Sequence, residues 1–461
     1  MGWRLVTLSP VVMGFRILGQ YSAMNVVPAV LALPLNSSTR RKTMKSFASL
    51  DAAGTSIGSI LERFQASLAD KGLSFNEFLS DAYVQKWKGE QLAHALKVRT
   101  ALVLGLQEFL VSRGILNIDR VSLSPVTDPL CHDVEHVPVI LYQDTPYRTT
   151  HSMIYSKMLA CLNPYIEGIY IDSSNIRLEL PSSTSRHKYL IDFSQMDIEF
   201  KRAKRLSEDD YFNRPKETTQ VLTKELDRAL DFFEDLIIYG VKKILVLAAE
   251  SLGALGVKLT VPSKPFPRFY SDEIDMQGDC SLEGSLEERL GHKAKTQFFW
   301  VLGLLRENYD LVYPYLSRDG RRPEKKDISP RQVFNYDLCA APLYRDESLG
   351  AAYEILSGGL REWIYESIVS RLLDNAVLRE SPRFDRNGNI ENMAALDGYG
   401  PFLSIAHMRD AQGQGIFPQV CGGGLGIERT LFALLRGPFI KDIDEVTCFG
   451  KNPDKTLPFL F

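Results

Sequence analysis

Residues 422–435 read GGGLGIERTLFALL, a strip of glycines that leads directly into an apolar segment. Because glycine has no Cβ, the backbone of such a strip can approach a ligand closely. Arg429 falls in the first turn of the helix that the apolar residues predict. A guanidinium fixed there can bind a phosphate through two parallel hydrogen bonds. Taken alone, the string fits a glycine-rich turn with an arginine on the surface equally well.

A second segment, residues 176–199, reads IRLELPSSTSRHKYLIDFSQMDIE. Polar and apolar residues alternate at 177–179 and again over 189–200, which predicts two antiparallel strands joined by a polar, basic loop. Arg177 and Arg186 would then lie near each other and could neutralise a polyphosphate. The ring of Phe193 could stack on a base.

The two segments resemble motifs 2 and 3 of the class II aminoacyl-tRNA synthetases, in the aspartyl/asparaginyl branch. That branch carries Arg-x-Glu, a loop, Arg-His, a Phe-x-Gln-x-Asp-x-Glu strand and a terminal Gly-x-Gly-x-Glu-Arg. Two further stretches match it: EILSGGLRE at 354–362, and SPVTDPL at 124–130 followed by SMIYSK at 152–157. The last pair is most similar to the synthetase-like asparagine synthetases of archaea.

The resemblance implies an α+β fold, the class II synthetase core, in which a mainly antiparallel mixed sheet is flanked by helices. Helical spacing over residues 51–90, without a five-strand alternation, predicts that no anticodon-binding OB barrel precedes this core. We therefore expect a helical preface over 51–90 and a catalytic domain over 91–461, with a helical insertion around 201–330.

The first 50 residues form a separate segment, which carries arginines and lysines but no acidic residue. This composition is typical of an organellar transit peptide. The alternative is an upstream start codon, with Met44 as the true start. We expect the segment to be disordered and the protein to be cytoplasmic, or mitochondrial if residues 1–43 are a real transit peptide.

The overall composition excludes some classes of protein. The net charge of −3 and the pI near 6.2 give no electrostatic indication of nucleic-acid binding. The six cysteines are scattered without a CxxC pair, which favours a reducing compartment. No apolar run is long enough to span a membrane.

Several elements outside the motifs are also predicted. Residues 91–112 form an amphipathic helix followed by a strand over Ile115–Val121, where the resemblance places the dimer-forming motif 1, so a homodimer is expected. A long helix over Glu217–Val246 is predicted to break at Gly240, and Phe298–Leu302 reads as a buried strand. The charged stretch Ser317–Arg331 is expected to be a solvated loop, with a substrate lid as the alternative.

The resemblance implies ATP and Mg²⁺ as cofactors. Arg177 would hold the α-phosphate and the substrate carboxylate, while Arg429, with Arg186, would hold the β/γ end of a bent ATP. The implied ATP-binding set is Arg177, Glu179, Arg186, His187, Phe193, Glu354 and Arg429. Mg²⁺ prefers carboxylate and phosphate oxygens. Glu354 matches the family's metal position, and Glu347 is the second candidate, in competition with Asp346 and Asp337.

Substrate choice is expected to depend on Lys157 and Arg361, which match the cations that hold the free carboxylate of aspartate. Two such cations favour a carboxylate over a neutral amide, because an unpaired buried charge is costly. Asp197 would hold the α-ammonium. The implied substrate-binding set is Ser152, Lys157, Gln195, Asp197 and Arg361, and the implied catalytic set is Arg177, Arg429 and Asp197. The substrate would be L-aspartate or a close analogue.

The missing anticodon module argues against tRNA as the acceptor. We therefore expect an AMP-forming ligase that makes a C–N bond between aspartate and ammonia or another amine, like asparagine synthetase. Asp197 or Glu199 would accept the amine's proton. Residues 418–421 read PQVC where synthetases usually have Pro-His-Gly, which suggests an altered acyl pocket. The alternatives are a tRNA-charging enzyme and a non-catalytic, regulatory paralogue. The identity of the amine and the carboxylate that is activated stay open.

Overall fold

The computed structural model describes residues 56–125, 138–178, 188–273, 289–291, 294, 296–305, 309–341 and 352–452. The predictions for residues 1–50 lie outside this part of the chain. The chain divides into two compact units, residues 1–78 and 79–461. The boundary therefore falls inside the 51–90 segment that the sequence treats as one preface.

The first unit contains helix α1 (Ile57–Ala69) and the start of helix α2 (Phe75–Leu79). Ser74 caps α2 as a capping box: its hydroxyl accepts from the amide of Glu77 at 3.1 Å, and the Glu77 carboxylate accepts from the Ser74 amide at 2.8 Å. After Leu79 the helix widens into a π-helix over Ser80–Val84. The predicted helical character of this region is confirmed.

The second unit contains the remaining elements. Its helices are α3 (Gln85–Lys88), α4 (Glu90–Ser112), α5 (Ile154–Ala160), α6 (Glu208–Asn213), α7 (Pro215–Leu247), α8 (Ala249–Ala254), α9 (Tyr365–Asp374), α10 (Gly400–His407) and α11 (Ile427–Leu435). Its strands are β1 (Leu116–Asn117), β2 (Leu123–Ser124), β3 (Val139–Tyr142), β4 (Thr145–Thr149), β5 (Gly168–Ile176), β6 (Asp192–Lys201), β7 (Arg268–Tyr270), β8 (Phe298–Leu302), β9 (Asn335–Ala340), β10 (Tyr353–Leu360) and β11 (Val420–Gly426). Among the described residues, no helix combines the length and the apolar character needed to cross a lipid bilayer.

The main sheet of the described chain has the strand order β1-β5-β6-β11-β10-β9-β8-β7. Its five inner pairs are antiparallel, and the two edge pairs, β1 with β5 and β7 with β8, are parallel. A smaller antiparallel sheet has the order β2-β4-β3. The expected α+β architecture, a mainly antiparallel mixed sheet with flanking helices, is confirmed.

The two strands predicted around the basic loop are antiparallel neighbours, β5 and β6. The first of them is displaced from its predicted position, because β5 ends at Ile176 and residues 177–179 follow it. The alternation at 177–179 is too short to locate a strand, whereas Gly168–Ile171 is a continuous buried run without alternation. Arg177 therefore lies just past the strand end.

The glycine strip is a central strand, so the alternative of a glycine-rich turn is wrong. β11 lies between β6 and β10, and side chains from β6 cross over its glycines. A Cβ on Gly422 would lie 2.6 Å from a carboxylate oxygen of Glu199, and one on Gly424 would lie 1.6 Å from the amide nitrogen of Gln195. The glycines therefore leave room for the polar side chains of β6.

We predict that Gly424→Ala displaces Gln195 and destabilises the protein by about 1–3 kcal/mol. The matched control is Gly426→Ala, because its Cβ would meet Arg429 at an ordinary 3.7 Å. Urea unfolding of both variants tests this. If both variants unfolded at the same urea concentration, the close contact at Gly424 would be contradicted.

Helices α4 and α7 pack against each other and confirm the two longest predicted helices. α7 runs without a break through Gly240, contrary to the predicted interruption. Gly240 is a packing residue: a Cβ there would meet Leu102 at 3.0 Å, and a Cβ on Gly105 would lie 2.7 Å from Lys243. Small residues at such a crossing let two helix backbones approach. The strand expected over Ile115–Val121 is reduced to the two residues of β1.

Candidate active site

A pocket lies on the face of the central strands β6, β10 and β11, between them and the start of α11. It encloses about 500 Å³, part of which is open to solvent. Among its lining residues are the predicted Arg177, Phe193, Gln195, Glu354 and Arg429. The chain therefore brings together side chains from positions 177 to 429, as expected for the nucleotide site.

Arg177 is held in place by the backbone and by an aromatic ring. Its Nε and Nη2 atoms donate to the carbonyl oxygen of His151 at 3.3 and 3.1 Å. Its guanidinium lies 5.2 Å from the centre of the Phe193 ring, within the range of a cation–π contact. These contacts orient the guanidinium.

Arg429 leaves the first turn of α11 and reaches back to β10. Its Nη1 atom donates to the carbonyl oxygen of Glu354 at 3.0 Å and to that residue's carboxylate at 3.4 Å, and its guanidinium lies 5.1 Å from the Tyr189 ring. The preceding residue, Glu428, accepts from the Ser194 amide at 2.8 Å, which fixes α11 to β6. Phe193 and Arg429 both line the pocket.

Of the two predicted metal ligands, Glu354 and Glu347, the structure describes Glu354. Its side chain is one-third exposed at the pocket wall, beside Arg429. Its carboxylate oxygens have the chemistry that Mg²⁺ prefers when it is bound with ATP phosphates. The described residues contain no group of three or more His, Cys, Asp or Glu side chains that could hold a metal ion. Asp337, on the neighbouring strand β9, is almost fully buried.

Four predicted site residues lie outside the described part of the chain. They are Glu179, Arg186, His187 and Glu347. Their roles in binding ATP and the metal stay predictions.

Lys157 and Arg361 meet in a buried charge cluster, which also contains Asp197, Glu199 and Asp310. The ammonium of Lys157 lies 2.9 Å from Asp197 and 3.6 Å from Glu199. The guanidinium of Arg361 lies 3.0 Å from Glu199 and 2.9 Å from Asp310. All five side chains are at most 4% exposed. The two cations do converge, as predicted, but protein carboxylates already pair with them.

The charge balance of this cluster is negative, with three carboxylates against two cations. Burial alone would lower the pKa of Arg361, but the carboxylates of Glu199 and Asp310 raise it well above its ordinary value. Arg361 therefore stays charged, and its positive charge holds Glu199 and Asp310 in the core. Asp310 was missed in the sequence, because no local pattern around it indicates a partner 51 residues away.

The two remaining predicted residues flank the cluster. Ser152 is half-buried just before α5, the helix that carries Lys157. Gln195 lines the pocket, and its amide oxygen accepts from Asn175 at 2.5 Å. Ser173, a second residue that sequence reasoning missed, donates to Asp197 at 3.2 Å. Ser173 and Asn175 occupy alternate positions of β5. This alternation is the sequence signal that could have placed both on the same face as the site.

His151 is buried beside Arg177 in a neutral form. Burial lowers the pKa of His151 from its ordinary 6.5 to about 4, and the charge of Arg177 lowers it further. The unfolded chain therefore takes up a proton as the pH falls below 6.5, whereas the folded chain does so only near pH 4. Stability from this group is present above pH 6.5 and is lost progressively toward pH 4.

We predict that His151→Gln reduces the fall in melting temperature between about pH 7 and pH 5, because the variant has no histidine to charge at this position. The same substitution at His94, a half-buried histidine on α4, serves as the control. Thermal melts at both pH values give the comparison. A fall as large in His151→Gln as in the wild type would contradict a buried neutral His151.

Comparisons with known proteins find relatives of this chain among the aminoacyl-tRNA synthetases. No model of a known protein family matches the chain. An aspartate–tRNA(Asp/Asn) ligase of Methanoculleus marisnigri is 22% identical over 375 residues, covering 78% of this chain and 69% of the relative. A ligase of the same name from Methanopyrus kandleri is 21% identical over 386 residues, covering 82% and 72%.

Solved structures show the same fold. The asparaginyl-tRNA synthetase of Pyrococcus horikoshii, solved with asparaginyl-adenylate, superposes with a TM-score of 0.58 at 19% identity, over 82% of this chain and 73% of that one. The asparaginyl-tRNA synthetase of Entamoeba histolytica gives a TM-score of 0.54 at 14% identity, over 78% and 68%. The fold is thus the class II synthetase core.

These comparisons correct one expectation. The absence of a recognisable anticodon barrel was used as an argument against tRNA, but the sequence relatives are ligases of aspartate and tRNA, and the solved neighbours are tRNA synthetases. The exclusion of tRNA is therefore wrong. The comparisons support the aspartyl/asparaginyl synthetase branch as a whole rather than its asparagine synthetase members.

Proposed function

We propose that this chain is an ATP- and Mg²⁺-dependent ligase of the class II synthetase type. It would activate an amino acid of the aspartate/asparagine kind as its adenylate and transfer the acyl group to tRNA. One observation carries the proposal: Arg177, Phe193 and Arg429 converge on a pocket that adjoins the buried charge cluster through Gln195. The nucleotide would bind in the pocket, and the amino acid would bind beside it at the charge cluster.

The first half-reaction needs positive charge where two anions meet. An oxygen of the amino acid's carboxylate attacks the α-phosphorus of ATP, and the bond from that phosphorus to the pyrophosphate oxygen breaks. Arg177, held by His151 and Phe193, would stabilise the charge that develops on the α-phosphate. Mg²⁺, when bound, supplies charge neutralisation at the phosphates, and Glu354 is placed to be one of its ligands.

L-Aspartate is the amino acid that we favour, because its charges can replace a pair inside the cluster. Its ammonium can take the place of Lys157 against Asp197, and its free carboxylate can take the place of Asp197 against Lys157. Every buried charge then keeps a partner, as the cost of burying an unpaired ion requires. The side-chain amide of asparagine carries no charge. If asparagine displaced Asp197, Lys157 would therefore keep Glu199, 3.6 Å away, as its carboxylate partner.

The second half-reaction transfers the acyl group. A tRNA hydroxyl attacks the acyl carbon, AMP leaves with the electron pair of the mixed anhydride bond, and the hydroxyl proton is lost to a base. Transfer to ammonia or another amine, which gives an amide, is the second candidate. It is suggested by the sequence, in which Gln419 replaces the usual histidine. In the structure Gln419 is buried, and its amide oxygen accepts from Arg202 at 2.6 Å and from the Leu206 amide at 2.8 Å.

Two assays separate these candidates. Pyrophosphate exchange into ATP, measured with L-aspartate and with L-asparagine, identifies the activated amino acid, and we expect aspartate to give the faster exchange. Radiolabelled amino acid is then offered with unfractionated tRNA or with ammonium. Label in acid-precipitable tRNA supports the proposal, and labelled asparagine formed with ammonium supports the second candidate. No exchange with any of the standard amino acids would contradict both and leave a non-catalytic paralogue.

We also propose a homodimer. Helix α4 and strand β1 occupy the region that resembles the dimer-forming motif 1, and the nearby strand β3 exposes consecutive apolar side chains. Exposed apolar patches of this kind mark interaction sites. Light scattering of the purified protein tests this, and a monomer at micromolar concentration would contradict it.

A further inference from the structure

Asn175 has a buried polar atom that finds no partner among the described residues. The residue lies on β5, where Ser173 and Asn175 are buried and Ser174 between them is exposed. The alternation places Asn175 on the same face of the sheet as Ser173. Its side chain is completely buried, and its Oδ1 atom accepts no hydrogen bond from any residue that the structure describes.

The neighbours of Asn175 fix which of its amide atoms is unused. Its Nδ2 atom faces Gln195 Oε1 at 2.5 Å and Ser173 Oγ at 3.4 Å. The single hydroxyl proton of Ser173 goes to Asp197 Oδ2 at 3.2 Å or to the carbonyl oxygen of Gln195 at 3.3 Å, and both of these are acceptors only. The Asn175 atom that faces Ser173 must therefore be the donor, which leaves Oδ1 as an unsatisfied acceptor.

A buried acceptor without a donor costs free energy, unless a ligand supplies the donor. Ser173 bonds both Asn175 and Asp197, so the two side chains are neighbours within one polar layer. In the proposed reaction Asp197 releases Lys157 and receives the α-ammonium of the amino acid. An ammonium carries three protons, so Asp197 alone does not satisfy it.

We infer that Asn175 Oδ1 accepts a hydrogen bond from the α-ammonium of the bound amino acid, and that Asn175 is a specificity-determining residue for substrates with a free primary amine. This inference rests on the proposed function. A diacid without the amine would leave both Asn175 Oδ1 and Asp197 without a donor. The site would then discriminate against it even when both of its carboxylates are in place.

The test compares L-aspartate with succinate, which has both carboxylates and lacks the amine. Isothermal titration calorimetry gives the two dissociation constants for the wild type, Asn175→Val and Ser174→Ala. We expect Asn175→Val to weaken aspartate binding by about 10- to 100-fold, the range of one hydrogen bond to a charged group, and to leave succinate binding unchanged. Ser174→Ala changes the exposed residue between Ser173 and Asn175 and is expected to preserve the aspartate-to-succinate ratio.

An equal loss for both ligands in Asn175→Val would show that Asn175 merely supports Gln195, and would overturn the inference.

A crystal structure of the wild type with 5′-O-[N-(L-aspartyl)sulfamoyl]adenosine, a stable analogue of aspartyl adenylate, gives a second test that does not depend on the variant folding. An ammonium within hydrogen-bond distance of Oδ1 supports the inference, and an ammonium bonded elsewhere overturns it. If the wild type exchanges pyrophosphate but Asn175→Val keeps the wild-type aspartate-to-succinate ratio, this inference is wrong and the proposed function stands. If the wild type binds aspartate in preference to succinate but does not exchange pyrophosphate, the proposed function is wrong and this inference stands.

Discussion

Arg361→Met is expected to lower the free energy of unfolding by about 3–5 kcal/mol, the largest stability effect that we predict. The substitution removes the cation that lies 3.0 Å from Glu199 and 2.9 Å from Asp310, all three being almost fully buried. Methionine has a similar length but no charge. Two carboxylates would then stay in the core with only Lys157 nearby, and an uncompensated buried charge is strongly destabilising.

Urea unfolding followed by circular dichroism measures this effect. Arg321→Met is the matched control, because Arg321 is 85% exposed and pairs with Asp319 at the surface. Exposed pairs of this kind contribute little, so the control should unfold at the wild-type urea midpoint. If Arg361→Met also unfolded at that midpoint, the buried charge cluster would not have the energetic role that its geometry indicates.

Arg177→Met is expected to reduce the rate of pyrophosphate exchange by about 10²- to 10³-fold, the usual effect of removing one group that stabilises transition-state charge. Arg177 lines the pocket, and its guanidinium donates to the His151 carbonyl oxygen and lies over the Phe193 ring. We expect a smaller loss for Arg177→Lys, which keeps the charge but not the planar fork of donors.

The control for this second prediction is Arg148→Met. Arg148 pairs with Asp397 at 3.2 Å and does not line the pocket. It should exchange pyrophosphate at the wild-type rate. Exchange by Arg177→Met at the rate of the Arg148→Met control would show that Arg177 does not contact the reacting phosphate.

The sequence predicted those features that depend on local pattern. The antiparallel pair around the basic loop, the helix that carries Arg429 and the buried strand Phe298–Leu302 all follow from residues that are close in the chain. The boundary of β5 was displaced, because a continuous buried run carries no alternation. Gly240 was misread as a helix break, because its packing against α4 is a contact between distant segments.

The sequence predicted which residues belong to the site but not which of them form ion pairs with each other. Motif matching brought Lys157 and Arg361 to one place, which the structure bears out in geometry. It could not show that Glu199 and Asp310 pair with Arg361, since the segments lie 162 and 51 residues away. The acceptor was misjudged for a different reason. The absence of a recognisable anticodon-binding barrel does not identify the acceptor of the acyl group, because the motifs in the sequence point to ATP and amino acid binding and none of them identifies the acceptor.

Binding of 5′-O-[N-(L-aspartyl)sulfamoyl]adenosine tests the central claim most directly, because this molecule occupies the nucleotide and amino acid sites together. Calorimetry should show one site per chain, with affinity at least about 100-fold tighter than for Mg·ATP or L-aspartate alone, as expected for a mimic of the bound intermediate. Arg429→Ala, which removes one side of the predicted adenine site, should weaken this binding. No detectable binding by the folded wild-type protein would contradict an adenylate-forming site between Arg177 and Arg429.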